Sequence, residues 1–483
     1  MIPLPLGRVA EITSGALTGL ADPSAVVAGP IVIDSRAVEP GALFVAIKGE
    51  RADGHDFAAA ACEAGAVAAL VARPVEAPAV IVGDVLVAMA DLARAVVAEL
   101  PGITVLGVTG SAGKTSTKDL MARLAARMGP TIAPAGSHNN EIGHPLTVLK
   151  ADASTRFLVL ELSAREVGHI AYLASIATPK IGVVLNVGEA HIGVFGGKEQ
   201  IAQAKGELVE ALPDDGVAVL NSDDPLVRAM ADRTKARVTL FGRSVGAHIR
   251  AVDETLDERG RASFTLRTPS GSAPVQMRLY GSHAVSNALA AAAAAYELGM
   301  PVATIAEELS LAEPRSRWRM EVTDRADGLT VVNDAYNASP DSMRAAFASL
   351  AAMSKGRRRF AVIAAMRELG EESGPLNEAA GRSAAEAGLE RLIVVGPDAG
   401  PILSGASSRG GTGDRVSHVP DVAAAVEELR GLLAPGDVVL VKGPRAAGLE
   451  RVAEALLAPD TPRPPGGPGS APEGPGRAGG DAR

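Results

Sequence analysis

A glycine-rich turn followed at once by lysine and threonine, Gly110-Ser111-Ala112-Gly113-Lys114-Thr115-Ser116, carries the clearest chemistry in this chain. Backbone N–H groups of such a turn converge on phosphate oxygens, and the helix that follows adds partial positive charge. Lys114 supplies a point charge, and the Thr115 hydroxyl reaches Mg²⁺. The pattern predicts a nucleoside triphosphate site. Its spacing is the short G-x-x-G-K-T, because the longer phosphate-loop form needs glycine at 108, where Val108 stands.

Further groups should approach the same edge. RFLVLEL (156–162) reads as a buried strand with Glu161 near its C-terminal end, and KIGVVLN (180–186) as another, followed within five residues by His191. Parallel strands in a nucleotide fold deliver their C-terminal ends to the phosphates, so Glu161 and His191 are expected to hold a cation there. Lys205 lies in an amphipathic helix, GGKEQIAQAKGELVEAL, on the face that also carries Lys198. Periodicity alone favours a solvated face for it. His283 and Asn287, four apart at the start of an alanine-rich helix, share a face. Asp334 and Asn337 follow a strand, and Lys442 and Arg445 precede a helix, where two basic groups read as an anion site. Ser35 and Arg36, after a short strand, offer a hydroxyl and a bidentate anion fork.

The elements that must position these groups form an α/β chain of about three domains. Residues 1–84 read as a small α/β unit. Residues 85–313 hold the phosphate loop between strand 103–109 and a helix running to about 128, then antiparallel strands between about 244 and 279. Residues 314–458 alternate strands and helices, a second doubly wound sheet. From 459 the chain is rich in Pro and Gly without large apolar residues, the composition of a disordered tail. The stretches near 84–102, which holds the helical pattern VLVAMADLARAVVAEL, and 311–316 read as hinges.

Composition narrows the partners. The formal net charge is -9 with acids and bases interspersed, which suggests neither a nucleic-acid groove nor an anionic membrane surface. The single cysteine, Cys62, leaves no internal disulfide and no Cys-based zinc site, as expected in a reducing cytoplasm. The N-terminus lacks the pattern of a signal peptide, and the longest apolar run, 288–295, is far shorter than the roughly 20 residues of a membrane span.

With these motifs placed, the chain resembles the Mur ligase family, ATP-dependent amide-forming enzymes of peptidoglycan precursor synthesis. GVTGSAGKTS looks like its ATP loop, and SHNNEIGHP, ELSAREVGHI, NVGEAHIGVFGG and AQAKGEL look like its central blocks. NDAYNASPDSM, MRELGEES and LVKGPRAAGLE are similar to the C-terminal blocks of the member that adds D-alanyl-D-alanine to UDP-N-acetylmuramoyl-tripeptide. The D-N-P-R motif of the third-residue-adding member does not occur.

The resemblance implies a three-domain fold: a UDP-sugar-binding N-terminal domain, a central P-loop parallel-sheet ATPase domain and a C-terminal Rossmann-like domain. It implies that Gly110 to Ser116 bind ATP, with His283 and Asn287 on the adenine side and Arg319 and Asp334 reaching ATP on closure. Thr115, Glu161 and His191 match Mg²⁺ ligands, and Lys205 matches a lysine that becomes carbamylated and bridges metal; Lys114, Lys205 and His191 form the catalytic group. Ser35 and Arg36 match the UDP-binding pair, Asn139 and Asn140 a block near the muramoyl-peptide, and Asn337, Lys442 and Arg445 complete the substrate contacts. The activity implied is ligation through an acyl phosphate, by a cytoplasmic monomer without nucleic-acid partner or membrane segment. The alternatives are the third-residue-adding ligase, a folylpolyglutamate synthase, and a non-catalytic nucleotide-binding protein.

Overall fold

The computed structural model describes residues 1–408 and 415–458; the Pro/Gly-rich stretch from 459 lies outside the described residues. The first unit is built on a five-stranded sheet in the order Ala16–Thr18, Ala79–Ile81, Ala68–Val71, Leu43–Val45, Ile31–Val32. Its first pair is antiparallel and the others parallel. The strand at Leu43 ends at Val45, before Lys48, which bridges instead to Asp53. The N-terminal residues contribute a short strand (Leu4–Pro5) and a helix (Leu6–Ile12) that buries Leu6, Val9 and Ala10.

The stretch expected as a first hinge is mostly a 14-residue helix, Val85–Ala98. Asp84 accepts from the backbone N–H of Leu86 (2.7 Å) and Val87 (3.1 Å), a side-chain N-cap that fixes where the helix begins. Its apolar face, including Met89, Leu92 and Val96, belongs to a core shared with both the first and the central unit. Burial on that face ties the helix to both units, and a short turn joins it to the strand that begins at Thr104.

A nine-stranded sheet forms the centre: Gly271–Tyr280, Arg261–Thr268, Ile249–Leu256, Arg237–Gly242, Val217–Asn221, Ile181–Val184, Thr104–Thr109, Phe157–Glu161, Thr131–Ile132. The last seven run parallel, and the two outer strands form the expected antiparallel ribbon. Strands buried on both faces carry continuous apolar runs, as FLVLE does between its neighbours. Over this sheet lies the helix Ser282–Glu297. Every residue from Ala288 to Ala295 is buried, and that low bulk lets it pack closely on the phosphate-loop helix Lys114–Ala126.

The third unit is a six-stranded sheet, Glu321–Asp324, Thr330–Asp334, Val438–Lys442, Arg359–Ala364, Arg391–Val395, Val416–Val419, parallel except at its first pair. Pro340–Met353 starts on a capping box made by Ser339 and Ser342. This unit sits over the phosphate edge of the central sheet. Asp341 accepts from the backbone N–H of Glu189 (3.1 Å), and Ser316 donates to Asp119 (2.6 Å).

Candidate active site

Strand order brings the expected groups to one edge. Thr104–Thr109 lies between Phe157–Glu161 and Ile181–Val184, so the phosphate loop, Glu161 and the chain leading to His191 leave adjacent strands in the same direction. The turn closes on Gly113, whose φ of 82° is a left-handed conformation suited to glycine. A Cβ at Gly113 would stand 2.4 Å from Oδ1 of Asn287, so the alanine-rich helix presses its asparagine against the turn.

Lys114 folds back over the loop and donates to the Gly110 carbonyl at 2.7 Å. Thr115 donates to Oε2 of Glu161 at 2.8 Å, while Oε1 accepts from Asn139 at 2.6 Å. Asn140 caps the neighbouring turn, accepting from the Gly143 N–H at 2.9 Å. Asn186, absent from the sequence-derived candidates, braces the loop by a pair of bonds with Ala112 (2.9 and 3.1 Å). The signal for it was present, because Asn186 ends the run KIGVVLN just as Glu161 ends its strand.

Lys205 is buried at 5% exposure, so the solvated face favoured by helical periodicity is corrected: helix Lys198–Glu210 packs this residue inward, whereas Lys198 reaches Glu189 (3.1 Å) near the surface. Burial, and secondarily the Lys114 charge, push the Lys205 ammonium well below its ordinary range. Among the described residues its amine has no hydrogen-bond partner. Lys114 is also lowered, by burial first, with Glu161 opposing and Arg319 adding to the shift. His191 is lowered by burial, against the opposing charge of Glu368.

The third unit supplies the other wall. Arg319 stacks over Tyr336, 4.0 Å from the ring centroid, and its buried Nε has no partner among the described residues. Trp318 and Met320, on either side of it, both have positive φ (60° and 48°), uncommon for residues with side chains. Asp334 accepts from the Met320 N–H (3.0 Å) and from Lys442 (2.6 Å), and Lys442 also bonds the Asn337 carbonyl (2.9 Å). Lys442 is thus not half of a free anion site, as its position before a helix suggested. Arg445 stacks on Trp318 at 4.0 Å and pairs with Glu450. His283 also lines the cavity, with burial lowering its pKa.

These walls enclose a cavity of about 820 Å³ lined by residues of the central and third units. Ser35 and Arg36 are not among its lining residues. They sit on an exposed turn of the first unit where the Arg36 fork closes on Asp34 (2.9 and 2.7 Å), holding that carboxyl well below its usual range. Among the described residues no three or more His, Cys, Asp and Glu side chains converge as a metal cluster. The hard oxygens of Thr115 and Glu161 at the phosphate loop instead suit Mg²⁺, which characteristically takes one or two carboxylates and completes its shell with phosphates and water.

Three descriptions of known domain families match this chain. Residues 30–123 match the Mur ligase family, catalytic domain; residues 108–295 the Mur ligase middle domain; residues 318–445 the Mur ligase, glutamate ligase domain. The chain is 47% identical to the UDP-N-acetylmuramoyl-tripeptide–D-alanyl-D-alanine ligase of Mycobacterium tuberculosis, over 95% of this chain and 99% of the relative. To the ligase of the same name from Escherichia coli it is 36% identical, over 94% and 99%. The crystal structure of MurF from Acinetobacter baumannii superimposes with a TM-score of 0.85 at 30% identity, covering 94% of this chain and 99% of that one. MurF from Thermotoga maritima in complex with ADP gives 0.78 at 30% identity, covering 89% and 97%.

Proposed function

We infer the activity from one premise, that this chain belongs to the Mur ligase family. It is an ATP-dependent amide ligase that joins D-alanyl-D-alanine to UDP-N-acetylmuramoyl-tripeptide in peptidoglycan synthesis. The observation that carries this is identity of 47% running through 95% of the chain, so that all three units are matched together.

We propose the following division of labour. Residues 1–84 hold the UDP-sugar, with Ser35 and Arg36 as its contacts. Residues 85–313 hold ATP: the N–H groups of Gly110 to Ser116 cradle its phosphates, and Lys114 neutralises charge where anions are brought together. His283 and Asn287 flank the base, and Arg319 and Asp334 arrive from residues 314–458. Asn139, Asn140, Asn337 and Arg445, which line the same cavity, serve as contacts for the peptide and the incoming amine.

The substrate carboxylate attacks the γ-phosphorus, whose bond to the bridging oxygen of ADP breaks, giving an acyl phosphate and ADP; the amine of D-alanyl-D-alanine then attacks the acyl carbon, expelling phosphate and losing a proton as the amide forms. Enclosure by two units aligns the partners and excludes water from the activated acyl group. Thr115, Glu161 and His191 would hold Mg²⁺, which supplies charge neutralisation between carboxylate and phosphates. Lys205 fits the carbamate role for a reason visible in its surroundings: carbamate formation needs the neutral amine, and burial beside Lys114 favours that form. The cytoplasm is the proposed compartment and a monomer the proposed state. Among the described residues no helix is long and apolar enough to cross a membrane.

Phosphate release measured with ATP, UDP-N-acetylmuramoyl-tripeptide and a panel of amines tests the reading. Release should require D-alanyl-D-alanine; release with diaminopimelate, lysine or glutamate in its place would point to one of the related ligases.

A further inference from the structure

The chain joining strand Ile181–Val184 to helix Ile192–Phe195 is held from two sides. On one side it touches the phosphate loop: Asn186 braces Ala112, and the Gly188 N–H donates to Oγ of Ser111 at 2.9 Å. On the other it meets the third unit, through Asp341 at the Glu189 N–H and through Glu368 at Nδ1 of His191.

The second contact has unusual backbone on both sides. His191 (φ 61°) and Glu368 (φ 62°) are both left-handed, a conformation that residues with side chains keep only where their surroundings over-determine it. Two glycines permit the approach: a Cβ at Gly193 would stand 2.0 Å from the backbone nitrogen of Gly370. The Glu368 carboxylate also lies 3.8 Å from Arg165, beyond the strand that ends in Glu161. One carboxylate of the third unit therefore touches the chain segments that follow the two strands flanking the phosphate-loop strand.

A carboxylate only accepts, so Nδ1 of His191 carries a proton in this contact, and in the neutral ring Nε2 keeps its lone pair. We propose that Glu368 is a positioning residue for ligation: docking of the third unit brings its carboxylate to His191, fixes the ring's orientation and tautomer, and so makes completion of the phosphate site depend on closure. The inference rests on the ligase reading above. It assigns to Glu368 a role that the phosphate loop and its metal ligands cannot fill from within the central unit.

The test uses the full chain with Glu368→Ala, Glu368→Gln and Gly193→Ala, the last barring the approach of Gly370. Steady-state ligation, the Mg²⁺ concentration giving half-maximal rate, ADP affinity by displacement of a fluorescent nucleotide, and melting temperature are measured for each. Glu368→Ala is expected to lower kcat about 10- to 100-fold and to raise the Mg²⁺ requirement, with ADP affinity and melting temperature unchanged. Glu368→Gln, whose amide oxygen still accepts from Nδ1, recovers part of the rate, and Gly193→Ala reproduces the loss of kcat. Wild-type kcat and Mg²⁺ requirement in Glu368→Ala would overturn the proposal, as would a kcat loss matched by equal losses of ADP affinity and melting temperature. A wild-type chain that forms no product would sink the ligase reading and this inference together.

Discussion

Lys442 donates from Nζ to Oδ2 of Asp334 across 2.6 Å, joining the C-terminal ends of two paired parallel strands. Lys442 is 2% exposed, and the Met320 N–H occupies the other carboxylate oxygen of Asp334. Removing one partner leaves the other charge buried, which characteristically costs about 3–5 kcal/mol. Lys442→Ala should therefore lower the unfolding free energy by about that amount in urea titrations. The double variant with Asp334→Ala should lose less than the sum of the single losses. Additive losses would show that the pair is not coupled.

Lys205 is predicted to act as its carbamate. Lys205→Ala should lose most of its ligation rate and regain part of it with added short-chain carboxylic acids, which supply the missing carboxylate. Depleting carbon dioxide should slow the unmodified protein reversibly. Full activity of Lys205→Ala without added acid would contradict the role.

Lys114 separates function from stability. It shares its surroundings with Lys205 and Arg319, so its removal relieves repulsion while deleting the charge over the phosphates. Lys114→Ala should abolish ligation without lowering the melting temperature. Near-normal turnover would remove the phosphate loop from the mechanism.

His144 is fully buried behind the site, and burial pushes its pKa down to about 4. Neither ring nitrogen has a side-chain hydrogen-bond partner among the described residues. The unfolded chain takes up this proton near the ordinary value of about 6.5 and the folded chain only near 4, so its contribution is complete above pH about 6.5 and lost as pH falls toward 4. The difference is about 3 kcal/mol, read as the loss of unfolding free energy across that window. His144→Leu should flatten the decline; an unchanged profile would assign acid sensitivity to other groups.

The phosphate loop, the strand ending in Glu161, the strand leading to Asn186 and the second parallel sheet were legible because each rests on local pattern: apolar runs, a glycine turn, a cap. What the sequence hid depends on packing between distant segments. Helical periodicity put Lys205 on a solvated face, because it cannot see the tertiary packing that buries that face. Position before a helix offered Lys442 as an anion ligand, because register with Asp334 appears only once the two strands pair. The helix Val85–Ala98 was legible in VLVAMADLARAVVAEL, but the sharing of its apolar face between two units was not. Glu368 and Asp341 were invisible as partners of the phosphate edge, since nothing local says which unit a loop will dock on.

The central claim is that a carboxylate is activated on ATP and captured by D-alanyl-D-alanine. Purified protein is given ATP, Mg²⁺, D-alanyl-D-alanine and UDP-N-acetylmuramoyl-tripeptide labelled with oxygen-18 in its terminal carboxylate, and the products are analysed by mass spectrometry. The account predicts the UDP-linked pentapeptide with one label retained at the new amide and one label transferred to the released phosphate. Absence of pentapeptide, or pentapeptide with unlabelled phosphate, would contradict it.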